Sequence, residues 1–186
     1  MGPVHHGAFG DMAEIISLSL VLAFIALIFV YALLTGNPPT PTSPKVKSKL
    51  LSVLPPIGPG KVYELGSGWG GLALSLARVF PENEVVGIER SPLPWLTAMI
   101  RGWALGPANL DFKRSDFLKH GLEDAALVLC YLQPAAMARL HPKLEAELAP
   151  GATVLSHTFR VPGWQAAETY EAGDIYRTPI YIYWVP

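Results

Sequence analysis

Eleven residues, Val62-Tyr-Glu-Leu-Gly-Ser-Gly-Trp-Gly-Gly-Leu72, constrain this chain more than any other stretch. The apolar run from Lys61 to Leu65 predicts a strand, and Leu72, Leu74, Leu76, Ala77 and Phe80 carry helical periodicity from Gly71 to Phe80. The glycines fall at the bend between them. Glycine there permits positive φ and lets the backbone come close to a ligand, and the helix that follows offers unpaired N–H groups to polar or anionic atoms. Strand, glycine turn and helix in that order predict an α/β sheet whose ligands sit beyond the carboxyl ends of the strands.

Gly66, Gly68 and Gly71 satisfy the dinucleotide pattern G-x-G-x-x-G, so a nicotinamide or flavin cofactor competes for this turn. Two acids bear on the choice. Glu89 ends the next apolar run, Val85-Val-Gly-Ile-Glu89, where a carboxylate accepts hydrogen bonds from ribose hydroxyls, which nucleotide cofactors and S-adenosylmethionine share. Glu64 discriminates. A carboxylate two residues before the first glycine would repel a pyrophosphate, whereas S-adenosylmethionine presents an ammonium and a sulfonium and no phosphate. A third acid, Asp116, follows the run Leu110 to Arg114 where it can receive an adenine amino group, with Phe117 beside it to pack on the ring.

Three strand-end acids with glycines after the first resemble the class I S-adenosylmethionine-dependent methyltransferases. That resemblance implies a Rossmann-like α/β sheet, mostly parallel with an antiparallel C-terminal strand. It also implies a cofactor-binding set of Glu64, Gly66, Ser67, Gly68, Gly70, Glu89, Asp116 and Phe117.

Composition narrows the partners. The 186 residues are 51% hydrophobic with a net charge of -1, which leaves no electrostatic footprint for nucleic acid. The single cysteine, Cys130, lies in an apolar run and reads as a buried core thiol. None of the five histidines has metal-ligand spacing, so no metal is expected.

Residues 1–14 form a mixed tail. Residues 15–34, Ile15 to Leu34, run without a charge, and a helix of that length at ~1.5 Å per residue spans the ~30 Å hydrocarbon core, so a single transmembrane helix is expected. A cleaved signal would need a basic n-region that is not there. Residues 35–44 are a proline-rich linker favouring polyproline II geometry. Lys45, Lys47 and Lys49 follow, so the positive-inside rule puts residues 45–186, the methyltransferase domain, in the cytoplasm, with the lysines either meeting anionic headgroups or forming a solvated helix face.

Within that domain a short helix carries Val46, Leu50, Leu51 and Leu54. Further elements are expected at 84–89 (strand), 92–103 (helix), 110–114 (strand), 125–131 (strand), 134–148 (helix) and 152–159 (strand). Alternation over Ile180 to Val185 predicts a last strand with a shorter partner near 166–170. Tyr131-Leu-Gln-Pro-Ala-Ala-Met137, Thr158-Phe-Arg-Val-Pro-Gly-Trp164 and the closing Ile-Tyr-Ile-Tyr resemble a narrower family. These are the membrane-anchored lysine methyltransferases of the ATP synthase c-subunit and the adenine nucleotide translocase, with their prokaryotic relatives. The likeness implies a methyl-transfer pocket near Tyr131, Gln133, Pro134, Phe159 and Trp164, with Tyr131, Gln133 and Trp164 as its catalytic members. It also implies a lysine-presenting membrane protein as substrate. Two other functions compete: methylation of a lipophilic small molecule such as a quinone or phospholipid, and a silent cofactor-binding scaffold.

Overall fold

The computed structural model describes the backbone of residues 8–35 and 41–186, with side chains described over 12–26 and 41–186. Residues 1–40 and 41–186 are separate compact units. The first contains α1 (Ala8–Thr35). Its side chains from 12 to 26 are all exposed, and Ser17 Oγ donates back to the carbonyl of Ala13 at 2.7 Å. The expected span 15–34 lies inside α1, but its side chains beyond residue 26 fall outside the described residues. Among those described, no helix is long and apolar enough to cross a membrane. Residues 36–40 of the expected linker, and 1–7 of the expected tail, also lie outside the described residues.

The second unit opens with α2 (Pro44–Ser52). Ser43 caps it by accepting from the Val46 N–H at 3.3 Å, and Pro44 stands in the first turn, where a missing N–H costs nothing. Then follow β1 (Lys61–Leu65), α3 (Ala73–Val79), β2 (Val85–Glu89), α4 (Pro92–Leu105), β3 (Leu110–Arg114), β4 (Ala125–Cys130), α5 (Pro134–Glu147), β5 (Thr153–His157), β6 (Glu168–Glu171) and β7 (Pro179–Trp184). The seven strands form one sheet in the order β3-β2-β1-β4-β5-β7-β6. β1 to β5 are parallel, and β7 runs antiparallel between β5 and β6. This is the Rossmann-like sheet expected from the sequence.

Alternation along the buried central strands builds two cores. Tyr63, Leu65, Val128 and Cys130 face α5, whereas Val62, Leu127 and Leu129 face the side of α2, α3 and α4. Both cores lie wholly within residues 50–185. No helix joins β3 to β4. The connection instead buries Leu122, whose N–H donates to Glu147 of α5 at 3.0 Å.

Among the boundaries that differ from the periodicity, two have a clear local cause. α3 starts at Ala73 rather than Gly71, because Gly70 at φ +74° prolongs the turn, which the Gly70 N–H closes onto the Ser67 carbonyl at 2.9 Å. β5 stops at His157 rather than residue 159. Thr158 takes φ +70° and the Ser156 hydroxyl donates to the Phe159 carbonyl at 2.9 Å, which turns the chain out of the sheet.

Candidate cofactor and methyl-transfer site

The chain runs outward from β1 to β2 to β3 and returns to β4 on the other side of β1, so the strand order reverses between β1 and β4. Crevices at such switch points take ligands. In register, Leu65 pairs with both Ile88 and Cys130, and Glu89 pairs with Arg114, so the carboxyl ends of the four strands come level.

The glycine turn is built onto the end of β2. The N–H groups of Gly66 and Ser67 both donate to the Ile88 carbonyl, at 2.8 and 3.0 Å. Glu89 is buried, with one oxygen accepting from the Gly68 N–H at 2.9 Å and the other from the Ser91 N–H at 2.7 Å. Those bonds fix the carboxylate while leaving further lone pairs on each oxygen. Gly68 has φ +52°, and a Cβ there would meet nothing within 4 Å, so the turn presents bare backbone to an open space. Gly70 plays another part: a Cβ on it would come within 2.7 Å of Phe112 and 2.8 Å of Ala98, so its smallness lets α4 and β3 pack against the turn.

Glu64 lies beneath the turn, 7% exposed, and accepts from the Ala73 N–H at 2.7 Å, at the start of α3. Burial pushes its carboxyl up to about 8, against the opposing pull of that N–H and of Lys47. A cation placed nearby would favour the carboxylate. Lys47 is not one of the outward-facing lysines expected from the sequence. Its Nζ donates to the Gly71 carbonyl at 2.6 Å, and burial lowers its pKa.

Asp116 is brought next to Glu89 by the Ser115 N–H, which donates to the Glu89 carbonyl at 3.2 Å. Its carboxylate accepts from the Leu118 N–H at 3.0 Å, and Phe117 is half-buried against the α5-side core. Tyr131 follows β4 and stacks on His157 with ring centroids 4.2 Å apart. A Cβ on Gly66 would approach Leu132 at 3.0 Å, so this segment borders the glycine turn. Gln133 is exposed at the N-cap of α5, its side chain making no capping bond, and Pro134 opens the helix. Phe159 is half-buried against the same core as Phe117.

Trp164 is placed apart from these. It packs edge-on to His141 and Tyr183 and its Nε1 donates to Glu145 at 3.3 Å, ~18 Å down α5 from Gln133 at 1.5 Å per residue. Its contacts are those of a packing residue.

Sequence reasoning missed His157. It is 2% exposed, and burial lowers its pKa to about 4, so it is neutral near pH 7. Its ring nitrogens lie 3.2 Å from the hydroxyls of Thr158 and Thr42, and its ring backs Tyr131. The available signal was its position as the last residue of a strand that ends at the crevice.

A bare glycine turn, a fixed strand-end carboxylate on Glu89 and a neighbouring acid on Asp116 suit a ligand with ribose hydroxyls and an adenine amino group. Ser67 Oγ, buried in the turn without a hydrogen-bond partner, leaves one polar group there still to be satisfied. Fold and site together define a class I S-adenosylmethionine-dependent methyltransferase. The chain belongs to the family described as the ANTKMT methyltransferase domain, whose model matches residues 64–168. A protein-lysine N-methyltransferase of Saccharolobus islandicus is 30% identical over 140 residues, covering 74% of this chain and 86% of that protein. The adenine nucleotide translocase lysine N-methyltransferase of Mus musculus is 37% identical over 110 residues, 58% of this chain but 47% of that longer protein. Among solved structures, an RNA methyltransferase from Salinibacter ruber in complex with S-adenosyl-L-homocysteine superposes with a TM-score of 0.70 and 28% identity, over 79% of this chain and 94% of that one.

Proposed function

We propose that this chain is a protein-lysine N-methyltransferase, anchored by residues 15–34 and acting from the cytoplasmic side on a membrane protein. The observation that carries the reading is the edge shared by the glycine turn and the segment after β4, where Leu132 borders Gly66 and Tyr131 is held on the His157 ring. The relatives named for lysine methylation support the acceptor class. The charge-free run of residues 15–34 supports the location.

When bound, S-adenosylmethionine supplies a methyl group already activated by its sulfonium. The protein's task is therefore alignment and exclusion of water. Glu89 and the backbone at Gly68 would hold the cofactor's ribose end, and Asp116 with Phe117 would hold the adenine. Tyr131 walls the acceptor side. A lysine must arrive as the neutral amine to attack, and desolvation against an aromatic wall lowers its pKa toward that form, while cation–π contact with the same ring opposes the shift. His157, neutral and buried, adds no positive charge behind Tyr131.

Incubating membranes with the full chain and methyl-labelled cofactor tests the acceptor class. Label in protein is the expected result. Label in the solvent-extractable fraction would transfer the assignment to a lipophilic small molecule.

A further inference from the structure

Every helix on one face of the sheet is free of acids. α2, α3 and α4 carry Lys45, Lys47, Lys49, Arg78 and Arg101 and not one Asp or Glu, although the whole chain has 15 acids against 14 Lys and Arg. Lys47 turns inward to Gly71, which leaves the other four cations with this layer. Asp174, in the β6–β7 connection, interacts with Lys45 but is itself held by the N–H and hydroxyl of Thr178, at 2.8 and 2.6 Å.

The same layer exposes apolar side chains. α4 turns Leu96, Met99, Ile100 and Trp103 to solvent at the spacing of one helical face, with Ile100 54% and Trp103 89% exposed, and Leu105 adds 63% at its end. A surface helix ordinarily shows solvent a polar face. Here the charges stand around the patch: the Arg101 guanidinium donates to the Trp69 carbonyl at 2.8 Å, and that of Arg78 donates to the Leu105 carbonyl at 2.9 Å. Apolar residues including an exposed Trp, on helices that carry cations and no acids, have the chemistry of an interfacial membrane surface, and the Asp111 carboxylate beside Met99 and Trp103 is paired with Lys113 at 3.7 Å.

The chain also limits what can cover this face. The proline-rich residues 36–43 between α1 and α2 would reach about 25 Å in polyproline II geometry, and they join the domain at α2, within this layer. We propose that the α2–α3–α4 face lies on an anionic bilayer surface, with Ile100 and Trp103 at the boundary between headgroups and acyl chains; the inference rests on the anchored reading above. So docked, the sheet lies along the membrane and the edge bearing Gly68 and Tyr131 opens along the headgroup plane, where lysines of a membrane protein emerge.

Flotation tests this with residues 41–186, which contain both cores whole and carry no anchor. The domain should float with phosphatidylcholine vesicles containing phosphatidylglycerol and not with phosphatidylcholine alone, and high salt should release it. The double variant Ile100→Ser/Trp103→Ser should lower partitioning by about tenfold with its melting temperature unchanged. A domain that stays unbound at low salt, or floats regardless of the double substitution, overturns the proposal. So does a dimer abolished by that substitution without flotation, since the face would then join two copies. Alkaline carbonate extraction of the full chain reads the anchor separately. Carbonate resistance with a domain that does not float sinks the docking face alone, whereas release by carbonate with a domain that floats sinks the anchor alone.

Discussion

Glu89 and Gly68 meet at one hydrogen bond, and each is exposed to a distinct substitution. Glu89→Ala removes the charged acceptor and frees the Gly68 N–H. The loss of a hydrogen bond to a charged group, about 1.5 to 3 kcal/mol, should weaken S-adenosylmethionine binding roughly ten- to hundredfold in calorimetry. Gly68→Val has room in the apo fold but forces a β-branched residue to φ +52° and fills the space over the turn. It should cost about 1 to 3 kcal/mol of stability and abolish measurable binding. Glu64 and His157 give the stability of the apo protein a defined pH dependence. Glu64 has its folded pKa raised to about 8, so the folded state holds the extra proton and stability falls as pH rises from its ordinary value of 4.5 through 8. His157 has its folded pKa lowered from 6.5 to about 4, so its contribution is present above 6.5 and lost as pH falls through that window. The two oppose each other below 6.5. Between pH 6.5 and 8 Glu64 alone of the pair acts, with a fall of about 2 kcal/mol, and denaturant melts of Glu64→Gln should flatten that limb; an unchanged slope would mean that Glu64 is ionised in the apo protein. Of these residues, the acids and glycines were legible because they punctuate strand ends. His157 and Lys47 were not, because a side chain's direction from a strand end or a helix depends on what packs beside it.

At the scale of elements, the periodicity that predicts β1 to β5, the C-terminal hairpin and the five helices agrees with the sheet observed. Two of its misses have local causes in Gly70 and Thr158, whose left-handed backbones are set by turn hydrogen bonds that no hydrophobic pattern encodes. α4 was legible as a helix, but not the direction of its apolar face, since periodicity alone does not say which stripe meets the sheet. α2 read as an amphipathic helix. Its docking over the glycine turn was hidden because Val46 and Leu50 find their core only once the sheet is assembled. That docking carries a prediction. Lys47→Met removes the bond to the Gly71 carbonyl and the cation beside Glu64, while keeping the aliphatic stem. Since Lys47 is half exposed, the expected loss is about 1 kcal/mol, roughly fivefold in cofactor affinity, with little change in melting temperature. Unchanged affinity would show that α2 does not support the turn.

For the whole molecule, the sheet order and the family follow from one glycine turn and its acids, whereas Trp164 was placed by resemblance and packs beside α5 against His141 and Tyr183. On the anchored reading proposed above, the acceptor would depend on how the domain meets the membrane. An anchored chain meets substrates of its own bilayer at high effective concentration. Removing residues 1–36 should therefore spare cofactor affinity and sharply reduce methylation in membranes, and equal rates for the two forms would rule out proximity as the means of finding substrate. The atom that receives the methyl group decides between a protein-lysine methyltransferase and its alternatives. Tandem mass spectrometry of membranes incubated with the full chain and methyl-labelled cofactor should find the label on lysine Nζ of a membrane protein, and little with Glu89→Ala. Label on a lipid or on another side chain, or lysine labelling undiminished by that substitution, would contradict it.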